Sequence, residues 1–437
     1  MEFNRKIIGY LKQWKEKKNR KPLIVRGARQ VGKTSAILLF AKKHFDYIVN
    51  INLEKTEHKR LFSRESTREE FEKIITTYFD IPLVDGKTIL FIDEIQELPY
   101  IIRLLRFFWE ERPGLHIIAA GSLFEVKLIQ QNIPLPVGRI EFAFLNPLNF
   151  FEYLEAMGEI NLLKYINNFN SKEKIPGGIH DKLINLFNEY VLVGGMPEAV
   201  KVYAATKNIQ EVNNIYSNLF TSFKDDIYKY SSRASSKYLD FILEQSPLSA
   251  GLSITYEKFA GSDYKSRELH NAFDTLSQAM LIYQVRATKS RSLPLIPNQK
   301  KPPKLLFLDI GLVNFQMGIQ TELLQLKELT SFYQGRIAEQ VVGQNLLASF
   351  VSSPPNLFYW YKGKGSEAEV DFSLVYKSKI IGIEVKSGKS GRLRSIYEFE
   401  KQTRSSKLLR IYSGEFNINK SLISLPFYLM PRWEDFV

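Results

Sequence analysis

Residues 23–44 read LIVRGARQVGKTSAILLFAKKH. A short apolar strand runs into a glycine-bearing loop, and the loop into a helix. Gly27-Ala28-Arg29-Gln30-Val31-Gly32-Lys33-Thr34 fits the phosphate-binding pattern G-x-x-x-x-G-K-[ST] at every position. The glycines let backbone N–H groups curl round phosphates, and the N-terminus of the following helix adds the positive end of its dipole. In such a loop Lys33 would reach the β- and γ-phosphates of ATP, the Thr34 hydroxyl would ligate Mg2+, and Ser35 closes the nucleotide-binding set.

The flanking sequence supplies the sheet this loop needs. YIVNINLE (47–54), KTILFIDEIQ (87–96) and HIIAAGS (116–122) read as further strands, separated by helical stretches. KTILFI is apolar throughout until its acidic end, as expected of a parallel strand buried on both faces. Strands alternating with helices over 1–145 predict an α/β domain with a parallel sheet, preceded by an amphipathic helix bearing Ile7, Ile8, Leu11 and Trp14. Asp93, at the acidic strand end, would support Mg2+, and Glu94 would polarise an attacking water.

Composition bounds the rest. At 437 residues the chain is long enough for two or three domains, and 44% hydrophobic with 24% charged residues is a globular balance. No run approaches a membrane span, and MEFNRKIIGYLKQWKEKKNRKPL lacks the apolar core of a secretory signal. The absence of cysteine excludes disulfides, thiolate zinc sites and cysteine nucleophiles, and five scattered histidines leave carboxylates as the expected ligands of any metal. These features predict a cytoplasmic protein with no membrane partner. The net charge of +13 makes DNA or RNA a candidate partner, although a lysine-rich solvated surface gives the same number.

Beyond the α/β domain, residues 146–236 turn helical and aromatic (PLNFFEYLEAM, KLINLFNEYVL), punctuated by IPGGIHD and VGGMPEAV. Residues 237–330 end a helix in a strand, SRELHNAFDTLSQAMLIYQVRA, like the close of a winged-helix unit, with SRSLPLIPNQKKPPK as wing or surface loop. Tyr264, Lys265, Arg267 and His270 suit DNA contact and equally suit a solvated face. Residues 331–437 read as a mixed α/β end domain.

That end domain contains EVDFSLVYKSKIIGIEVKSG (369–388). Strand side chains alternate faces, so Glu384 and Lys386 share one. A two- or four-residue hairpin loop centred on Lys377-Ser378 would set Asp371 directly opposite Glu384, bringing two carboxylates and an ammonium together. An odd-length loop would slip the register.

RGARQVGKT, FIDEIQ, AAGS, GRIEFAFLNPLNFFEYL, GGMPEAV, KLLFLDIGL and the final EVDF…IEVKSG follow one another in an order that resembles a prokaryotic AAA+ ATPase family. Members of that family carry a C-terminal domain of unknown function resembling the PD-(D/E)XK nuclease fold. The resemblance implies a P-loop AAA+ domain over 1–145, a helical lid over 146–236, a winged-helix-like region over 237–330 and a nuclease-like domain over 331–437. It places Ser122 at the sensor position, where Asn or Thr is more usual. Arg139 becomes the arginine that stabilises transition-state charge, supplied to a neighbouring subunit of a homo-oligomer; a local salt bridge is the alternative. Arg29 would touch nucleotide or a neighbouring acid. In the end domain the resemblance implies that Asp371 and Glu384 bind Mg2+, that Lys386 orients the attacking water, and that Glu339 adds an acid from a preceding helix. An active nuclease, an inactive nuclease fold used for binding, and a plain salt-bridge cluster all stay open. The expected function is ATP hydrolysis whose nucleotide state controls the nuclease-like domain, against a slow nucleotide switch or scaffold that binds a protein or nucleic acid.

Overall fold

The computed structural model describes residues 2–122, 127–128, 132–136, 138–230, 233–320, 335–363, 367–388, 393–405 and 407–437. The boundary expected at 330/331 lies outside the described residues. The chain forms two compact units: residues 1–146 with 278–280 and 350–354, and the remainder.

In the first unit, strands β1 (Leu23–Arg26), β2 (Tyr47–Asn52), β3 (Thr88–Asp93), β4 (His116–Gly121) and β5 (Glu141–Phe144) make a five-stranded sheet in the order β2-β3-β4-β1-β5, all neighbours parallel. Every residue of β3 and β4 is buried, which accounts for their unbroken apolar character. Ile24, Val49, Ile51, Leu90, Ile92, Ile117 and Ala119 from the sheet pack in one core with helical residues that include Phe71, Ile75, Leu105 and Phe108. The helix Lys6–Lys15 buries Ile7, Ile8, Leu11 and Trp14, the residues that the spacing singled out. Parallel strands place all their C-terminal ends on one edge, so the phosphate loop after β1 and the acids ending β3 share that edge.

The second unit begins with helices. Asn149 opens Phe150–Ala156 through a capping box with Glu152, and Gly177–Val193, Pro197–Thr206 and Ile209–Tyr230 follow. The glycine pair of GGMPEAV meets the DIGL segment here. Gly195 N donates to Asp309 Oδ2 at 2.6 Å, and Asp309 Oδ1 caps the helix Ile310–Met317 through Gly311 N at 3.0 Å. Gly194 has φ +76°, and a side chain on it would be driven into Asp309 and Gly311, so both motifs serve one buried cap.

The unit closes on an eight-stranded mixed sheet. Its strands are β6 (Ile282–Thr288), β7 (Lys304–Phe307), β8 (Phe358–Tyr361), β9 (Glu369–Tyr376), β10 (Lys379–Lys386), β11 (Leu408–Tyr412), β12 (Asn417–Asn419) and β13 (Leu422–Pro426), in the order β12-β13-β11-β10-β9-β8-β6-β7. β6 and β7, from the segment read as winged-helix-like, belong to this sheet: β6 pairs antiparallel with β7 and parallel with β8. A free two-stranded ribbon would expose both edges, and β8 covers one of them. Among the described residues no helix is long and apolar enough to cross a membrane.

Candidate active site

The phosphate loop is built by its backbone. Gly27 packs so closely on the Leu145 carbonyl that a side chain there would displace it. Gln30 (φ +63°) and Gly32 (φ +93°) turn the chain into the helix Lys33–His44, whose N-cap Gly32 offers no side-chain cap. The first N–H groups of that helix therefore face the loop without a capping side chain, as an anion site requires. Lys33 is buried, and its Nζ donates to the carbonyls of Gly27 at 3.0 Å and Ala28 at 2.9 Å. The ammonium is thus held over the loop that would cradle phosphates. Arg29, on the loop, lies 3.8 Å from Glu54.

Two strands away, Asp93 closes on the loop. Thr34 Oγ1 donates to Asp93 Oδ2 at 2.8 Å, while Asp93 Oδ1 accepts from Glu94 N at 3.1 Å. Burial pushes the Asp93 carboxyl up to about 6; the Thr34 hydroxyl opposes this and the adjacent Glu94 adds to it. A buried carboxylate facing a hydroxyl is a hard-oxygen pair that fits a magnesium ion, the cation this type of loop uses. Glu94 adopts a left-handed conformation (φ +54°), and its carboxylate accepts from Gln96 Nε2 at 2.5 Å. Ser122 is buried directly after β4, on the same sheet edge. Arg139 is engaged locally: its Nε lies 2.9 Å from Glu110 Oε1, and its guanidinium stacks 4.8 Å from the Trp109 ring centre.

A parallel sheet in this strand order, with a phosphate loop after β1 and the Asp93–Thr34 pair across from it, is the P-loop nucleoside triphosphatase fold. Residues 19–154 match the family model of an AAA domain, 184–323 that of a domain of unknown function (DUF8612), and 334–428 that of a second domain of unknown function (DUF4143). The N-terminal domain is therefore of the AAA ATPase type. Uncharacterized protein MJ1544 of Methanocaldococcus jannaschii is 25% identical over 396 residues, covering 88% of this chain and 79% of that protein. The Walker-type ATPase PABY2304 of Pyrococcus abyssi is 17% identical, with TM-score 0.46 over 72% of this chain and 96% of that one. The RuvB Holliday junction branch migration motor of Thermotoga maritima is 14% identical, with TM-score 0.30 over 68% of this chain and 93% of that one.

The C-terminal cluster forms on β9 and β10. Their hairpin turns on Lys377 and Ser378, both at positive φ, and the pairing runs to Ile383↔Phe372, a register whose next step would put Glu384 across from Asp371. Glu384 is buried, with Oε1 2.7 Å from Lys386 Nζ and Oε2 without a hydrogen-bond partner among the described residues. Asp371 Oδ2 accepts from Val385 N at 2.7 Å. A residue that sequence reasoning missed completes the cluster. Lys304, at the start of β7, is buried with its Nζ 2.8 Å from Glu339, 2.9 Å from Glu369 and 3.5 Å from Asp371. Burial and the facing Asp371 raise the Glu339 carboxyl, while Lys304 holds it down; the net direction is up. Glu384 is raised for the same reasons, opposed by Lys386. The signal available in the sequence is that Glu369 shares the Asp371 face by strand alternation, which sets more acids than Lys386 can offset. Among the described residues no group of three or more His, Asp or Glu is placed to hold a metal ion.

Proposed function

We propose that the chain is an AAA+ ATPase that converts ATP and water to ADP and phosphate, and that its nucleotide state controls the C-terminal α/β domain. The Thr34–Asp93 hydrogen bond carries this reading, because it joins the phosphate loop to the acidic strand end with Glu94 beside it. The residues have separable tasks. The loop N–H groups and Lys33 bind the β- and γ-phosphates. Glu94 accepts the proton of the attacking water. Ser122 and Arg139 are the proposed sensor and the proposed in-trans arginine. A magnesium ion held by Thr34 and Asp93 would offset charge on the β- and γ-phosphate oxygens.

For the C-terminal domain, the geometry favours binding over cleavage. Asp371 accepts from Val385 N and faces Lys304, and Lys386 takes one Glu384 oxygen while the other has no partner among the described residues, so the two acids are held chiefly by lysines and the backbone. We derive no nuclease step from it. Phosphate release measured with and without DNA tests the coupling. A rate stimulated by DNA supports nucleic-acid-coupled turnover, and a slow, unstimulated rate supports a nucleotide switch that engages another partner.

A further inference from the structure

Gln96 lies two residues beyond Glu94, in the short helical turn Ile95–Glu97, and is only 3% exposed. Its side chain folds back on the strand end. Nε2 donates to Glu94 Oε2 at 2.5 Å. A carboxylate can only accept, so the amide nitrogen faces Glu94 and the amide oxygen faces the other way. That oxygen is buried and has no hydrogen-bond partner among the described residues. It lies against Gly121, the last residue of β4, where any Cβ would be driven into it. Gly121 in turn pairs with Arg26, the residue before the phosphate loop, and precedes Ser122.

Leaving an amide oxygen unpaired in the interior is costly, and an apolar residue of the same shape would avoid the penalty. The arrangement therefore needs a compensating purpose, and the Glu94 contact supplies one. Glu94 sits on a left-handed residue at a strand end, so its backbone direction is fixed while its side chain still has free torsions. A buried donor at fixed distance removes that freedom.

We propose that Gln96 is a positioning residue: it holds the Glu94 carboxylate in place for water activation, and glycine is required at 121 to make room for it. This inference rests on the reading of Glu94 as the hydrolytic base. Gln96 acts through its contact with Glu94. A base that contributes ~10²–10⁴-fold loses part of that factor when its aim is relaxed.

The test uses the full-length chain and measures ATP binding and steady-state hydrolysis for Gln96→Met, Gln96→Ala, Gly121→Ala, Gln96→Ala/Gly121→Ala and Glu94→Gln. Gln96→Met keeps the volume and removes the donor. We expect it to lower kcat roughly tenfold or more, as far as Gln96→Ala does, with ATP affinity unchanged. Gly121→Ala should act alike by displacing the amide, and should add little once residue 96 is alanine. Wild-type kcat in Gln96→Met, or additive losses in the double variant, would overturn the proposal and leave Gln96 a packing residue. Should Glu94→Gln itself hydrolyse at the wild-type rate, the assignment of the base fails, and the inference falls with it.

Discussion

The Lys304 ammonium stands 2.8 Å from the Glu339 carboxylate in the interior of the C-terminal sheet domain, and two further acids, Glu369 and Asp371, close around the same nitrogen. Glu339 and Asp371 are largely buried and Glu369 is partly exposed, and the three acids would repel one another without the Lys304 charge. Lys304→Met should therefore cost roughly 3–5 kcal/mol at neutral pH, since removing one partner strands the others in a medium that solvates them poorly. The raised Glu339 and Glu384 carboxyls bind protons more tightly folded than unfolded, so their contribution to stability is present below the ordinary value of 4.5 and is lost as pH rises from there to their raised values. Lys304→Met should steepen this loss. Urea melts between pH 4 and 8 measure it, and equal slopes in both proteins would contradict the arrangement.

The register of the same cluster depends on its turn. Lys377 (φ +45°) and Ser378 (φ +60°) form a two-residue loop of the mirror-image type that matches strand twist. A non-glycine residue in that region costs ~1–2 kcal/mol, and glycine's greater chain entropy returns ~0.5–1 of it. Ser378→Gly should consequently stabilise by about 0.5 kcal/mol, read as a higher urea midpoint at unchanged m-value. A lowered midpoint would refute the turn geometry.

Asp93 shows what a nucleotide site gives up for its chemistry. Its folded-state value of about 6 exceeds the ordinary 3.8, so the folded protein holds more protons across that window, and nucleotide-free stability falls as pH rises from about 4 to about 6. Asp93→Asn should flatten this slope and raise nucleotide-free stability at pH 7, by on the order of 2 kcal/mol, while abolishing magnesium-dependent turnover. Identical pH slopes in the two proteins would rule out a buried, proton-retaining Asp93.

Arg139 pairs with Glu110 on the surface of the same chain, so Arg139→Ala should change stability by less than ~1 kcal/mol. Its proposed role in trans makes a separate forecast. Mixing Arg139→Ala with Glu94→Gln chains should recover part of the hydrolysis that each lacks alone. Full-rate hydrolysis by a dilute monomer would exclude that role.

How much the sequence discloses depends on the range of the interaction. The phosphate loop is contiguous, so LIVRGARQVGKT announces its strand, turn and helix together. The hairpin is nearly as local, and strand parity together with the two-residue turn at Lys377-Ser378 puts Asp371 across from Glu384. Lys304 reaches Glu339 and Asp371 across separations of 35 and 67 residues, and no local pattern marks a lysine heading an apolar strand as the centre of an acid cluster. The pairing of β6 with β8 is likewise a long-range choice, and helix-then-strand periodicity fits a separate winged unit as well as it fits a shared sheet. Gln96 sits inside the quoted FIDEIQ motif, yet only folding shows its amide turning back on Glu94.

Binding and chemistry separate most clearly in Lys33→Ala and Glu94→Gln, compared with the unmodified chain for ATP affinity and single-turnover phosphate release. Lys33→Ala should lose tight ATP binding. Glu94→Gln should bind ATP as the native chain does while releasing phosphate at least ~10²-fold more slowly, because only the transition state uses the basicity of Glu94. Near-native phosphate release in both variants would contradict ATP hydrolysis at this site.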